Sequence, residues 1–226
     1  KIKIFDFKDS KTYDFDIGKN SDIYIPRIMW SKNNNELIVF KMNRLQNKLD
    51  LLSGKLNSKN TNDFEISVNE IYSESCETYI DIHDNTFFIS PNEFIWTSEK
   101  SGYNHLYLIN YKNKTENQLT FGNWEVTKVY GFNHEKRRIY FQAAKNNPKQ
   151  REIYYYDLNN KEIKLISKVK GTNDADFSSN YEYFINTHSD ANHPYTFSIN
   201  DSEGEVVNIL ENNNNLNKKM KGFDLV

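Results

Sequence analysis

The sequence predicts an all-β fold, a partial β-propeller of about four to five four-stranded antiparallel blades. Three observations predict it. Apolar and polar residues alternate over short runs, and no stretch keeps a helical period for three turns. The runs are separated by short polar links of hairpin length. Finally, a strand–turn–strand pattern carrying a pair of apolar or aromatic residues recurs near Val39, Trp96, Tyr140 and Phe184. Those intervals of about 57, 44 and 44 residues lie in or near the range of a four-stranded blade.

In chain order, alternation marks strands at Ile2–Phe7, Tyr24–Trp30, Glu36–Met42, Leu49–Lys55, Phe64–Tyr72 and Thr78–His83. It continues at Phe94–Ser98, His105–Tyr111, Asn117–Thr120, Thr127–Phe132 and Arg138–Ala143. The last set is Glu152–Asp157, Glu162–Ile166, Tyr183–Thr187, Tyr195–Ile199 and Val206–Leu210. The links include Ser31 to Asn35, Asn133 to Lys136, Asn159 to Lys161 and Asp201 to Gly204. Residues 1–20 read as the last two strands of an earlier unit. A blade needs a neighbour on each side, so the expectation is a piece of a longer ring. A β-sandwich of similar strand count is the competing architecture; the regular unit length favours the propeller.

Composition agrees and excludes some functions. Tyr and Phe stand at 15 each and Trp at 3, residue types that suit a pleated, half-buried surface. Gly 8 and Pro 4 are few, while Asn reaches 33, so the turns are expected to be built from Asn. With 29 basic against 31 acidic residues, the net charge of −2 gives no footprint for nucleic acid. One cysteine, Cys76, excludes an internal disulfide and a thiolate zinc cluster. No run of about 18 apolar residues spans a bilayer.

Catalytic constellations are scarce. There is no Gly-x-Ser-x-Gly elbow and no Gly-rich phosphate loop. Cys76 lies among Glu74 and Glu77, whose charges disfavour a thiolate. His188, Asp190 and His193 could ligate a metal, but their polar setting favours a solvated loop. His83, beside Asp81 and Asp84, could act as a general base, yet no nucleophile is near it in sequence. Asp174 and Asp176 read as strand-edge charges. In Tyr154-Tyr155-Tyr156 at least one ring is expected at a blade interface. Lys218, Lys219 and Lys221 read as a solvated basic segment.

Several motifs carry a family likeness. They are Tyr24-Ile25-Pro26-Arg27-Ile28-Met29-Trp30 with Met42-Asn43-Arg44-Leu45-Gln46-Asn47, then Phe94 through Gly102-Tyr103-Asn104-His105-Leu106-Tyr107. Leu119-Thr120-Phe121-Gly122-Asn123-Trp124-Glu125-Val126 and Arg138 to Ala143 complete the set. In this order, from about Ile23 to Leu210, they resemble the propeller domain of the dipeptidyl peptidase IV family. Bacterial members look most similar, because the paired cysteines of animal members are missing.

The resemblance implies a serine exopeptidase that releases N-terminal dipeptides with proline or alanine second. It implies a propeller joined to an α/β-hydrolase domain, a peptide substrate in the cavity between them, a homodimer, an extracytoplasmic setting, and no metal or organic cofactor. Residues 1–226 would then be roughly the C-terminal half of the propeller, without the hydrolase domain and without the paired glutamates that hold the substrate's amino terminus. No catalytic residue is carried onto this chain. Thr78–Asn85 would fall near the substrate side, which makes Asp81 and His83 the substrate-cavity candidates. The alternatives are a freestanding propeller that binds a protein partner, or the propeller of an acylaminoacyl- or prolyl-oligopeptidase-type enzyme. A glycan-binding propeller is more distant, since paired acids and exposed Trp platforms are not evident.

Overall fold

The computed structural model describes residues 1–8, 10–32, 36–60 and 63–220. It is the partial propeller class that the alternation predicts: four four-stranded antiparallel meanders and one two-stranded hairpin. The chain divides into two compact units, Lys1–Ile95 with Ile109–Glu116, and Trp96–Leu108 with Asn117–Val226.

In the first unit, β1 (Ile2–Asp6) and β2 (Lys11–Phe15) form the hairpin. The sheet that follows is β3 (Ile23–Trp30), β4 (Glu36–Asn43), β5 (Lys48–Asn60) and β6 (Asp63–Ser75) in sequence order. Hairpin and sheet share a core of Phe15, Leu37 and Val39, flanked by Ile2, Ile4, Ile25 and Val68. Phe15 can pack against the backbone of β5 because residue 54 is glycine. A Cβ there would meet the ring at 2.1 Å.

The third sheet runs β10 (Thr115–Gln118), β9 (His105–Asn110), β8 (Glu93–Ser98), β7 (Phe87–Ser90). Its residues fall in both units.

The second unit contains two complete meanders. One is β11 (Val126–Asn133), β12 (Arg138–Ala143), β13 (Glu152–Asp157) and β14 (Glu162–Leu165). The other is β15 (Thr172–Phe177), β16 (Tyr183–Asp190), β17 (His193–Asp201) and β18 (Val206–Glu211), followed by the short helix α1 (Asn214–Met220). Tyr140, Ile153, Tyr155, Ile166, Ala175 and Phe184 make the core between them. Tyr140 and Tyr181 stack with their ring centroids 5.5 Å apart and their planes 6° apart. Gly131, at φ +148°, leaves room for the Tyr181 hydroxyl.

Polar bonds join the same two sheets. Asn173 is fully buried. Its Nδ2 donates to the carbonyls of Arg151 (3.1 Å) and Val169 (2.9 Å), and its Oδ1 accepts from Asn186 at 3.1 Å. The Asn173 carbonyl accepts from Gln142 Nε2 at 2.6 Å. A second link is ionic. Glu203, in the β17–β18 turn, accepts from Lys164 at 2.6 Å, from Tyr155 at 3.3 Å and from Arg138.

Asn builds turns, though by its side chain more than by its backbone. Asn43 Oδ1 accepts the amides of Asn47 and Lys48 at 3.0 Å, and Asn133 Oδ1 that of Lys136 at 2.8 Å. In the β-hairpin turns, left-handed positions go to residues such as Gln46, Lys114, Arg137 and Lys161, while one asparagine, Asn213, takes that conformation before α1. A capped turn followed by one left-handed residue makes a tight hairpin without glycine.

Several boundaries differ from expectation. Thr78–His83 is not a strand. Ile80 alone is buried there, and its amide bonds to the Gln46 carbonyl at 2.9 Å, not to a neighbouring strand. The strand expected at Asn117–Thr120 lies at Thr115–Gln118, because Thr120 turns inward to cap His105. The expected list gives no bounds for β2, β7 or β15, although residues 1–20 read as two strands and the hairpin pattern leading to Phe184 opens on a strand at Asp174–Phe177. Asn33–Asn35 of the expected first link and Lys221 of the basic segment lie outside the described residues.

Candidate functional site

The Asn43–Lys48 turn is the foundation of the loop that carries Asp81 and His83. The Asn43 side chain closes it, and Gln46 takes the left-handed conformation at φ +57°. The turn then presents two carbonyls outward. Asn47 accepts the Cys76 amide and Gln46 the Ile80 amide, each at 2.9 Å. Ile80 plugs the loop into the core, at 6% exposure. Thus Asn43-Arg44-Leu45-Gln46-Asn47 anchors residues 76–80.

A second anchor lies at the far end. Arg27 on β3 grips Asp84 through Nε (2.6 Å) and Nη2 (3.4 Å), and its Nη1 donates to the Pro26 carbonyl. This hydrogen bond from Arg27 holds the Asp84 carboxyl below its usual range. Between the anchors, Asp81 is exposed and His83 half-buried. His83 Nδ1 accepts the Asn85 amide at 3.3 Å, which places the proton of the neutral ring on Nε2. The loop therefore carries the exposed Asp81 carboxylate, the half-buried His83 imidazole and the Asp84 carboxylate paired with Arg27. Such a set can hold an ammonium group and peptide carbonyls. It contains no activated nucleophile.

The other sequence candidates are placed as follows. Cys76 is exposed, and the Thr78 hydroxyl at 3.4 Å lowers its thiol pKa. The effect of Glu74 and Glu77 expected from sequence is thus outweighed by local hydrogen bonds. His193 Nδ1 pairs with Asp190 at 2.8 Å, whereas the buried His188 sends Nε2 to the Lys170 carbonyl. Among the described residues, no group of three or more His, Cys, Asp or Glu is placed to hold a metal. Asp174 accepts from Lys128 at 2.9 Å and from Tyr130 at 2.7 Å. Half-buried Tyr130 has its pKa driven up, by burial first and the Asp174 bond second. Tyr154, Tyr155 and Tyr156 are all buried; Tyr155 joins the inter-sheet core and Tyr154 stacks on Phe141. Lys218 and Lys219 lie in the last turn of α1.

Sequence reasoning missed His105 as a structural residue. It is 1% exposed, and burial lowers its pKa. The Gly122 carbonyl at 2.9 Å can only accept, so Nε2 carries the proton and Nδ1 faces the Thr120 hydroxyl at 3.0 Å. Trp124 packs edge-on at 4.9 Å. The two motifs around His105 and Trp124 are thereby one polar clasp.

No helix among the described residues is long and apolar enough to cross a membrane. The family model described as dipeptidyl peptidase IV (DPP IV) N-terminal region matches residues 1–195. Dipeptidyl peptidase 4 of Trichophyton equinum is 25% identical over 217 residues, covering 91% of this chain and 27% of that protein. The Trichophyton rubrum dipeptidyl peptidase 4 is 24% identical over 214 residues, with the same two shares. The crystal structure of Porphyromonas gingivalis dipeptidyl peptidase 4 aligns at a TM-score of 0.83 and 32% identity. That alignment covers 97% of this chain and 30% of the other. The chain thus spans less than a third of the length of these relatives.

Proposed function

The chain belongs to the dipeptidyl peptidase IV N-terminal-region family, and from that premise we propose that it is the propeller part of a serine exopeptidase that releases N-terminal dipeptides. Its role is to wall the substrate chamber and position the peptide, with proline or alanine as the second residue. Asp81 and His83 line the chamber. The Ser-His-Asp machinery and oxyanion hole belong to an α/β-hydrolase domain outside these residues. The whole protein is an extracytoplasmic homodimer that needs no cofactor.

The observation that carries this reading is the family match across residues 1–195, together with the 0.83 alignment to a dipeptidyl peptidase 4. The doubly anchored loop adds to it, since substrate-positioning groups must themselves be fixed.

The full-length protein is expected to release the dye from Gly-Pro-p-nitroanilide, and the 226-residue chain alone none. In the full-length protein, Asp81→Ala or His83→Ala is expected to raise KM by about tenfold with kcat little changed, the mark of lost uniform binding. Cleavage of N-acetylated peptides in preference to free ones would move the reading to an acylaminoacyl-type enzyme. Activity from the chain alone would overturn it.

A further inference from the structure

Strand β4 places one charged group on an apolar face. Alternation puts Leu37, Val39 and Lys41 on the same side. The first two belong to the core shared with the β1–β2 hairpin. Lys41 is half-buried, and among the described residues its ammonium makes no hydrogen bond or ion pair. Its register partner on β5, Asp50, is engaged elsewhere, by the Ser73 hydroxyl at 2.7 Å and by Lys48 at 3.5 Å. A lysine that sits beside a core without a counterion calls for an anion.

The surroundings are shaped to admit one. A cavity of about 340 Å³ opens at Lys41, within the size range of small-ligand sites. Asp16, Gly18, Ile66, Val68 and Glu70 are among its walls. Gly18 is left-handed at φ +87°, with its amide held by Asp16 Oδ1 at 2.8 Å. A Cβ on Gly18 would stand 3.6 Å from Lys41 Nζ, so bare backbone leaves space beside the ammonium. Asp16 and Glu70 are exposed, and among the described residues that line the cavity Lys41 is the only cation. One positive group, two negative groups and aliphatic walls make a mixed pocket. A plain anion would meet the two carboxylates, and a plain cation would meet Lys41.

We propose that this cavity binds a small zwitterion, a free amino acid or dipeptide with an aliphatic side chain. Its carboxylate goes to Lys41 and its ammonium to Asp16 and Glu70. Its side chain rests on Ile66 and Val68. This binding does not depend on the peptidase reading.

The test titrates valine and Val-Ala calorimetrically into the full-length protein and its Lys41→Met and Lys41→Arg variants. Methionine suits the apolar face of β4, and arginine keeps the charge. Saturable binding is expected in the wild type. It should weaken about tenfold or more in Lys41→Met and stay within about threefold in Lys41→Arg. N-acetylvaline and valinamide, each lacking one charge, should bind no better than about a tenth as well. Binding of only one of valine and Val-Ala identifies the source of the zwitterion. Equal affinity in Lys41→Met, retention of both end-blocked compounds, or no saturable heat up to about 10 mM overturns the proposal.

Discussion

Replacing Glu203 with glutamine tests the ionic link between the last two sheets. Partial burial would raise this carboxyl, but Lys164 and Arg138 reverse the effect and hold it at about 2, against an ordinary 4.5. At about 1.4 kcal/mol per pH unit, that drop sets a ceiling of about 3.5 kcal/mol. The side chain is 37% exposed, so solvent screening reduces the contribution to about 1–2 kcal/mol. Arg138 is better shielded, keeps Asp157 at 3.3 Å, and lies 4.0 Å above the Tyr155 ring, so it stays partly satisfied when Glu203 is neutral. A carboxyl depressed by folding stabilises fully above its unfolded value near 4.5. That stability is lost as the pH falls through about 2. Urea unfolding, followed by tryptophan fluorescence, should place Glu203→Gln about 0.5 M below wild type at pH 7. The gap should close as the pH is lowered through that window. A gap that is absent at pH 7, or that persists unchanged at low pH, refutes the reasoning.

Two further outcomes follow from close packing and from the loop anchors. Gly54→Ala puts a methyl 2.1 Å from the Phe15 ring, so the ring must leave its pocket. The loss should be about 2–3 kcal/mol, read as lost amide-exchange protection in β1 and β2, and intact protection would count against it. Asp84→Asn should release the loop from Arg27 and speed chymotryptic cleavage after the half-exposed Tyr79. In the wild type the same clamp should hold above the usual aspartate range near 3.8 and loosen as the pH falls below it. Cleavage rates that ignore both changes would show that the clamp does not order the loop.

What the sequence discloses depends on how each segment is buried. The hairpins of the second unit were legible because apolar side chains do the burying, as in Arg138–Ala143 and Glu152–Asp157, whose bounds agree with β12 and β13. The bounds of β15 were not. Its inward residues include Asn173 and Ala175, and the asparagine is accommodated by hydrogen bonds that no hydropathy pattern records. Thr78–His83 failed in the opposite sense, since Tyr79 and Ile82 mimic a strand although only Ile80 reaches the core. At the candidate site, the residues alone single out His83 beside Asp81, and only the resemblance places the two near a substrate. The Arg27–Asp84 clamp could not, because its members lie 57 residues apart. The role of Asn43–Asn47 in supporting that loop lies in two backbone carbonyls, and side-chain identity carries no trace of them.

The Asn173 side chain bears on how the second unit comes apart. Its bonds reach the Arg151 carbonyl just before β13, the Val169 carbonyl between the sheets, and Asn186 on β16. The amide of Asn173 itself donates to the Arg151 carbonyl at 2.8 Å, and that of Arg151 to the Gly171 carbonyl at 3.0 Å. Peeling either sheet away strands buried donors and acceptors on both, at a cost each side must bear together. The two sheets should therefore open as one cooperative unit, with the slow-exchanging amides of β12, β13 and β16 sharing a single opening free energy.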